Sequence, residues 1–355
     1  MERRIPVGVL GATGTVGQRF VQLLAQHPWF EVVAVTGSTR TAGRSYREGV
    51  RWKLNGRIPA GIADLIIQPT EPNLKIGGTP PVVFSALPTA EAHEWEPQFA
   101  AAGYAVVTNA SAYRMTPDVP LLIPEVNPTH TGLIPTQQTN NGWPGFIVAS
   151  PNCSTTSIIL PMKVWQDAFG LEAAVITTMQ AVSGAGYPGV SVMDIIDNVV
   201  PHIGGEDTKL ENEPKKLLGI VADGLLQLAD IRASAQANRV PVLDGHLASV
   251  SVKLGRSASV EEAIATLENW QPPAVCAELP TSPQQPLIYR HEVNRPQPRL
   301  DRDSEEGLAW TVGKVRQCGV LDLRFMAITH NTLRGAASGS ILNAELLVKQ
   351  GFIQR

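Results

Sequence analysis

The chain has only three cysteines in 355 residues, and Cys153, Cys276 and Cys318 stand far apart. That number and spacing exclude a disulfide framework and a zinc knuckle, and they suit a reducing compartment such as the cytoplasm. No stretch approaches the ~20 apolar residues of a membrane-crossing helix. Arg3 and Arg4 are followed by no uninterrupted apolar run, so no signal peptide is expected. Charge of one sign is not in excess: 29 Lys and Arg face 32 Asp and Glu, a net -3. Such a balance excludes bulk attraction to nucleic acid or to an anionic membrane. Repeats, low-complexity tracts and metal-ligand clusters are missing as well. What is present is 43% hydrophobic residues against 17% charged ones, enough for a large core in about two domains. Gly and Pro, 31 and 28 residues, imply many turns rather than a helical bundle.

The first half alternates strand and helix. Val7-Gly8-Val9-Leu10 reads as a buried strand, and Gly11-Ala12-Thr13-Gly14-Thr15-Val16-Gly17 follows at once. Val16, Phe20, Leu23 and Leu24 then recur at helical spacing, and Val32–Val35 gives a second strand. A glycine turn between a strand and a helix is the setting of a dinucleotide fingerprint, here spaced G-x-x-G-x-x-G. Gly11, Thr13, Gly14, Thr15 and Val16 are therefore the candidates for a pyrophosphate. The second strand does not end in an acid that would take a ribose hydroxyl. It runs into Ser38, Thr39 and Arg40, whose hydroxyls and guanidinium suit the 2′-phosphate of NADP, although a solvated loop has the same composition. Further strands at 82–86 and 104–108 flank a helix from about Thr89 to Ala102. The strand end Ser85-Ala86-Leu87 faces the ligand crevice of a doubly wound parallel sheet. Residues 44–78 are rich in Pro and Gly and are expected to hold short strands and loops.

Ser150-Pro151-Asn152-Cys153-Ser154-Thr155-Thr156 is the stretch around which the chain is arranged. Phe146–Ala149 reads as a strand end, and Ile158, Met162 and Trp165 continue at helical spacing. Cys153 thus begins a helix, where the dipole lowers a thiol pKa and free N–H groups hold an oxyanion. A buried structural thiol fits the same stretch equally well. After it, strand-like runs at 173–180, 247–254 and 321–328 alternate with amphipathic helices, which predicts an α+β domain with a mostly antiparallel sheet. Gln180 ends one run before a glycine turn. Glu206 and Lys209 share a helix face, as a solvated ion pair would also do. Arg114 is either an anion binder or a surface ion-pair residue. Arg239 matches a carboxylate, and His246 is a possible base for a thiol. Asn331 reads as the N-cap of a small-residue helix that returns to the first domain.

Five motif stretches together resemble aspartate-semialdehyde dehydrogenases of the archaeal and fungal type. They are Gly-Ala-Thr-Gly-Thr-Val-Gly at 11–17, Ser-Pro-Asn-Cys-Ser-Thr at 150–155, Gln-Ala-Val-Ser-Gly-Ala-Gly at 180–186, Arg-Val-Pro-Val-x-x-Gly-His at 239–246 and His-Asn-Thr-x-Arg-Gly-Ala-Ala at 330–337. The resemblance implies a Rossmann-like NADP domain at 1–152 and 331–355, and a catalytic and dimerisation domain at 153–330. It implies that Cys153 is the nucleophile, His246 the acid/base and Gln180 the orienter of the acyl intermediate. Arg239 would hold the substrate carboxylate and Glu206 its ammonium, while Lys209, Arg114 and Asn152 would hold phosphate. Asn331 would lie on the nicotinamide side of the cofactor, and Ser183 and Gly184 would also bind it. The product is expected to feed lysine, threonine, methionine and isoleucine synthesis, and the enzyme to be a homodimer or homotetramer. An acyl-CoA reductase of the malonyl-CoA type would keep the same cysteine, histidine and NADP loop. A non-catalytic NADP-binding sensor would keep the fold without needing them.

Overall fold

A computed structural model describes residues 4–355. In the first half, short apolar runs of two to seven residues form β1 (Ile5–Leu10), β2 (Phe30–Thr36), β3 (Ile67–Gln68), β4 (Val82–Ser85), β5 (Ala105–Thr108) and β6 (Phe146–Ala149). All pair in parallel, in the order β3-β2-β1-β4-β5-β6. Strands buried on both faces are continuously apolar, and β4, β5 and β6 are buried throughout. Reversal of strand order beside β1 opens a crevice at the carboxyl ends, the usual ligand position of such sheets. The segment 44–78 supplies two single-turn helices, Tyr46–Gly49 and Ala60–Ala63, and the short edge strand β3.

The second sheet is built from β7 (Leu171–Gln180), β10 (Arg232–Arg239), β11 (His246–Leu254), β12 (Leu287–Arg290), β13 (Trp310–Gln317) and β14 (Leu323–Thr329). A hairpin of β8 (Ile220–Ala222) and β9 (Leu225–Gln227) stands apart from it. The order is β10-β7-β11-β14-β13-β12. Its three central ladders are antiparallel and its two edge ladders parallel, so the sheet is mixed, with an antiparallel middle. Inward residues such as Ile176, Val250 and Phe325 alternate with half-exposed ones such as Thr177, Ser249 and Met326. That period of two marks a sheet covered on one face and open on the other.

The helix Cys153–Phe169 joins the two sheets. Nearly all of it is buried, and Ile158, Met162 and Trp165 lie in one apolar cluster with Val83 and Phe99 of the first half and Val250 and Phe325 of the second. The two sheets therefore share a core. A second cluster, with Phe20, Phe30 and Phe84, takes in Ile341, Leu346 and Leu347 of the last helix, Ser338–Lys349, which lies against the parallel sheet. Asn331 does not cap that helix. A π turn, Leu333–Ala337, precedes it, and the Asn331 side chain instead accepts the Gly245 N–H at 2.8 Å. The cap is displaced because the segment is pinned across to the second sheet. Among the described residues no helix is long and apolar enough to cross a membrane, and no metal-holding cluster of His, Cys, Asp and Glu occurs.

Candidate active site

One end of the second sheet meets the carboxyl end of the first. Arg239 is paired with Gln180 in the β10–β7 ladder, so both side chains leave at the same strand end. His246 opens the antiparallel β11 and arrives at that end from the other direction. Cys153 comes from the opposite side, four residues beyond the last residue of β6.

The Cys153 turn is held tightly. Asn152 caps the helix, its Oδ1 accepting the Ser154 and Thr155 N–H groups at 2.9 and 3.4 Å. Its own N–H donates to Glu213 Oε2 at 2.7 Å, and its carbonyl accepts the Thr156 N–H at 2.8 Å. Most of the N–H groups expected to be free at this helix start are thus spent. The Cys153 N–H is the exception: it has no acceptor among the described residues.

Cys153 Sγ lies 3.2 Å from His246 Nε2. On the far side of the ring, Nδ1 accepts the Ala181 N–H at 3.1 Å. A backbone N–H can only donate, so Nδ1 carries a lone pair and the neutral ring bears its hydrogen on Nε2, facing the sulfur. Burial, followed by the nearby Arg239 cation, lowers the His246 pKa to about 3. Burial, followed by Glu206, pushes the Cys153 thiol up to about 12, while Arg114, Arg239 and Lys209 pull it down. The lowered thiol pKa expected at a helix N-terminus is therefore corrected. Loss of hydration around the sulfur outweighs the dipole.

Glu206 gathers the next layer. Its Oε1 accepts from Asn152 Nδ2 at 2.9 Å and Lys209 Nζ at 2.8 Å, and its Oε2 accepts from the Ser154 hydroxyl at 3.0 Å and Gln180 Nε2 at 3.1 Å. Burial opposes ionisation, but Lys209 and these donors hold the carboxyl below its ordinary pKa. Arg239 is buried, and its Nη1 donates to the Ala181 carbonyl at 2.9 Å. Arg114 is buried too, not a surface residue: Nη1 meets Glu213 Oε1 at 3.1 Å and Nη2 the Asn109 carbonyl at 2.8 Å. The turn at Ser183 and Gly184 passes over this group. A Cβ on Gly184 would lie 2.9 Å from His246 Nε2 and 2.8 Å from Arg239 Nη1, so only glycine fits.

Two cavities meet at the cysteine. The first, about 500 Å³, is lined by Arg114, Asn152, Cys153, Gln180, Glu206, Lys209 and Arg239, with Leu87 on its rim. The second, about 270 Å³, is lined by Thr15, Val16, Ser183, Asn331 and Gly335. Asn109, Arg114, Asn152, Cys153 and Gly184 border both. Cys153 thus stands between a polar, cationic chamber and a chamber at the N-terminus of the helix Thr15–Leu24.

The glycine turn beside the second chamber fits the pyrophosphate of a dinucleotide. Gly11 has φ +68, and a Cβ there would lie 2.9 Å from the Ala86 carbonyl oxygen. A Cβ on Gly17 would lie 2.2 Å from the Gly11 carbonyl oxygen, so the spacing of the glycines lets the helix sit on the turn. Gly14 precedes the helix and leaves its first N–H groups directed outward, where an anion is stabilised. Thr13 lies in the same turn, close beside Gly37, and the exposed Ser38, Thr39 and Arg40 follow that glycine. Ser85 is buried with an unpartnered hydroxyl at the end of β4, and Ala86 continues the strand by donating to the Leu10 carbonyl. Asn331 Nδ2 donates to the Ser183 hydroxyl at 2.8 Å, tying this wall together.

Three contributors went unread in the sequence. Glu213 lies seven residues, two helical turns, after Glu206, a spacing that places both on one face. Gly335 packs on the nucleophile: a Cβ there would lie 2.8 Å from Cys153 Cβ. Its place among small residues signals close packing, but not against what. Arg19 borders the second cavity from the first helix.

The whole chain matches known proteins. Residues 6–134 match the family model described as semialdehyde dehydrogenase, NAD binding domain, and residues 163–334 the one described as semialdehyde dehydrogenase, dimerisation domain. The aspartate-semialdehyde dehydrogenase of Archaeoglobus fulgidus is 50% identical over 350 residues, covering 99% of this chain and 100% of the relative. That of Cryptococcus neoformans is 44% identical, covering 99% of each. A crystal structure of the Candida albicans enzyme with NADP superimposes with a TM-score of 0.89 at 39% identity, over 99% of this chain and 100% of that one.

Proposed function

This chain belongs to the aspartate-semialdehyde dehydrogenase family, and from that premise we propose how its own residues carry the reaction. It is an NADP-dependent oxidoreductase that acts on an aldehyde with phosphate. In the biosynthetic direction L-4-aspartyl phosphate becomes L-aspartate 4-semialdehyde and phosphate. When bound, NADP supplies the hydride exchange. Gly11, Thr13, Gly14, Thr15 and Val16 would hold its pyrophosphate, Ser38, Thr39 and Arg40 its 2′-phosphate, and Ser85, Ala86, Leu87, Ser183, Gly184 and Asn331 would border the remainder.

The Cys153 sulfur attacks the acyl carbon, the carbon–oxygen bond to phosphate breaks, the thiol proton leaves with the departing phosphate, and a thioester forms. The Cys153 N–H and the His246 Nε2–H are the two donors placed to meet the oxyanion. His246, with its hydrogen on Nε2, is the acid of the pair, donating toward the sulfur and the oxyanion. Arg114, Arg239 and Lys209 draw the thiol toward its anion against the effect of burial. Arg239 holds the substrate carboxylate through a fork fixed at one end by the Ala181 carbonyl. Glu206, already met by four donors, takes the substrate ammonium by exchange with the partly exposed Lys209, which then turns to phosphate. Arg114 and Asn152 complete the phosphate site, and Gln180 orients the acyl group. The observation that carries this reading is the single sulfur shared by two chambers and an imidazole.

The division into 1–152 with 331–355 for the cofactor, and 153–330 for catalysis and dimerisation, follows from the same reading. The open face of the second sheet supports a homodimer. The three unpaired cysteines suit a cytoplasmic enzyme. The test is NADP reduction by L-aspartate semialdehyde with and without inorganic phosphate. Dependence on phosphate is expected. Faster NADPH oxidation with a coenzyme A thioester than with aspartyl phosphate would assign the chain to acyl-CoA reduction instead. Unchanged turnover in Cys153→Ala would remove the catalytic reading.

A further inference from the structure

Glu213 takes no part in the chemistry above, yet it touches two of its components. Its side chain is almost fully buried, two turns along the helix Glu206–Leu217 from Glu206. Oε2 accepts the backbone N–H of Asn152, the residue before the nucleophile, at 2.7 Å. Oε1 accepts Nη1 of Arg114 at 3.1 Å. Arg114 is fixed at its other tip by the Asn109 carbonyl, and its Nε is buried without a partner. Arg114, Asn109 and Asn152 border both chambers beside Cys153.

We propose that Glu213 is a positioning residue: one carboxylate aims the Arg114 guanidinium into the first chamber for a phosphoryl group and holds the Asn152–Cys153 backbone in register with it. The proposal rests on the phosphate reading of that chamber. A carboxylate with two oxygens fixes two donors relative to each other, and here the donors belong to the nucleophile turn and to the arginine. Charge-assisted bonds of this kind are stronger than neutral ones, and their direction is well defined. A glutamine in the same place has one oxygen to offer. If that oxygen keeps the Asn152 N–H, its NH₂ group faces a guanidinium that also only donates. Arg114 is then released while the backbone stays anchored.

The test uses inorganic phosphate as probe and alkylation of Cys153 by iodoacetamide as readout, scored on the Cys153 peptide, so that turnover is not needed. Phosphate is expected to slow alkylation of the wild type. In Glu213→Gln the half-protecting phosphate concentration should rise at least about tenfold, the worth of a charged hydrogen bond. NADP affinity should stay unchanged, while the thermal midpoint falls because the buried guanidinium loses its counter-charge. Glu213→Asp, which keeps the charge on a shorter arm, should fall between the two. In an Arg114→Ala background, adding Glu213→Gln should change protection little, since its effect runs through Arg114. The proposal is overturned by an unshifted half-protecting concentration, by a wild type that phosphate does not protect, or by phosphate and NADP affinities falling together with the thermal midpoint. Absence of NADP reduction by aspartate semialdehyde in a wild type that phosphate does protect would instead remove the substrate reading and leave this one standing.

Discussion

At Cys153 the governing facts are a neighbouring ring and a missing side chain. His246 presents a donor to the sulfur because the Ala181 N–H occupies its other nitrogen. Replacing it in His246→Asn should cut kcat by ~10²–10⁴-fold, the usual worth of a positioned acid/base group, in steady-state assays. Arg239→Lys should raise KM for the semialdehyde, because a point charge cannot reproduce a two-pronged carboxylate contact. Steady-state kinetics with unaltered KM would move the carboxylate site elsewhere. Gly335→Ala would place a Cβ 2.8 Å from Cys153 Cβ and 3.0 Å from its Cα. The nucleophile must shift, and kcat should fall by roughly 10²-fold with NADP binding retained, as a misplacement of about 1 Å implies. The candidate residues themselves were legible, since a cysteine after an apolar strand and an arginine seven residues before a histidine are sequence patterns. The protonation states were not. They depend on how much protein surrounds the sulfur and on which backbone N–H faces Nδ1, and neither is local.

At the scale of elements, hydrophobic period carried most of the information. The runs at 173–180, 247–254 and 321–328 became β7, β11 and β14 with ends shifted by at most two residues. The last helix was harder. Asn331 has the composition of a cap, but a hydrogen bond to Gly245, eighty-six residues away in the chain, takes it out of that role. The helix Glu206–Leu217 shows a similar limit. Glu206 and Lys209 also fit a solvated ion pair, yet Glu206 is buried, as are Glu213 and Lys216 of the same helix. Lys216 donates to the Thr116 carbonyl at 2.6 Å, and burial lowers its pKa to about 7, against an ordinary 10.5. Below about pH 7 both folded and unfolded chains carry this proton, and the buried charge disfavours folding. Between about 7 and 10.5 the unfolded chain binds more protons, so this group's contribution to stability rises with pH. Denaturant titrations at pH 6 and pH 9 should therefore show the wild type gaining stability relative to Lys216→Met at the higher pH. A constant difference would mean that Lys216 stays protonated in the fold.

For the molecule as a whole, function follows from two sheets that share a core and meet at their ends. The parallel half was legible from its strand–helix alternation, and the antiparallel middle of the second half from strand-like runs set among amphipathic helices. How the mixed sheet's edge strands run was not, because a parallel edge pair and an antiparallel one have the same local pattern. The open face of that sheet carries Val175, 50% exposed on β7, with the half-buried Met179, Leu247 and Met326. If two copies pair through it, Val175→Arg should weaken the dimer in sedimentation velocity, with activity falling as protein is diluted, because Gln180 and His246 lie at the ends of the same strands. An unchanged sedimentation coefficient would place the interface on another surface. The account stands most directly on one sulfur forming a thioester. Mixing the enzyme with NADP and L-aspartate semialdehyde in the absence of phosphate should give a burst of NADPH equal to the number of sites, and an acyl adduct on the peptide that contains Cys153, released when phosphate is added. No burst, or an adduct on Cys276 or Cys318 instead, would contradict it.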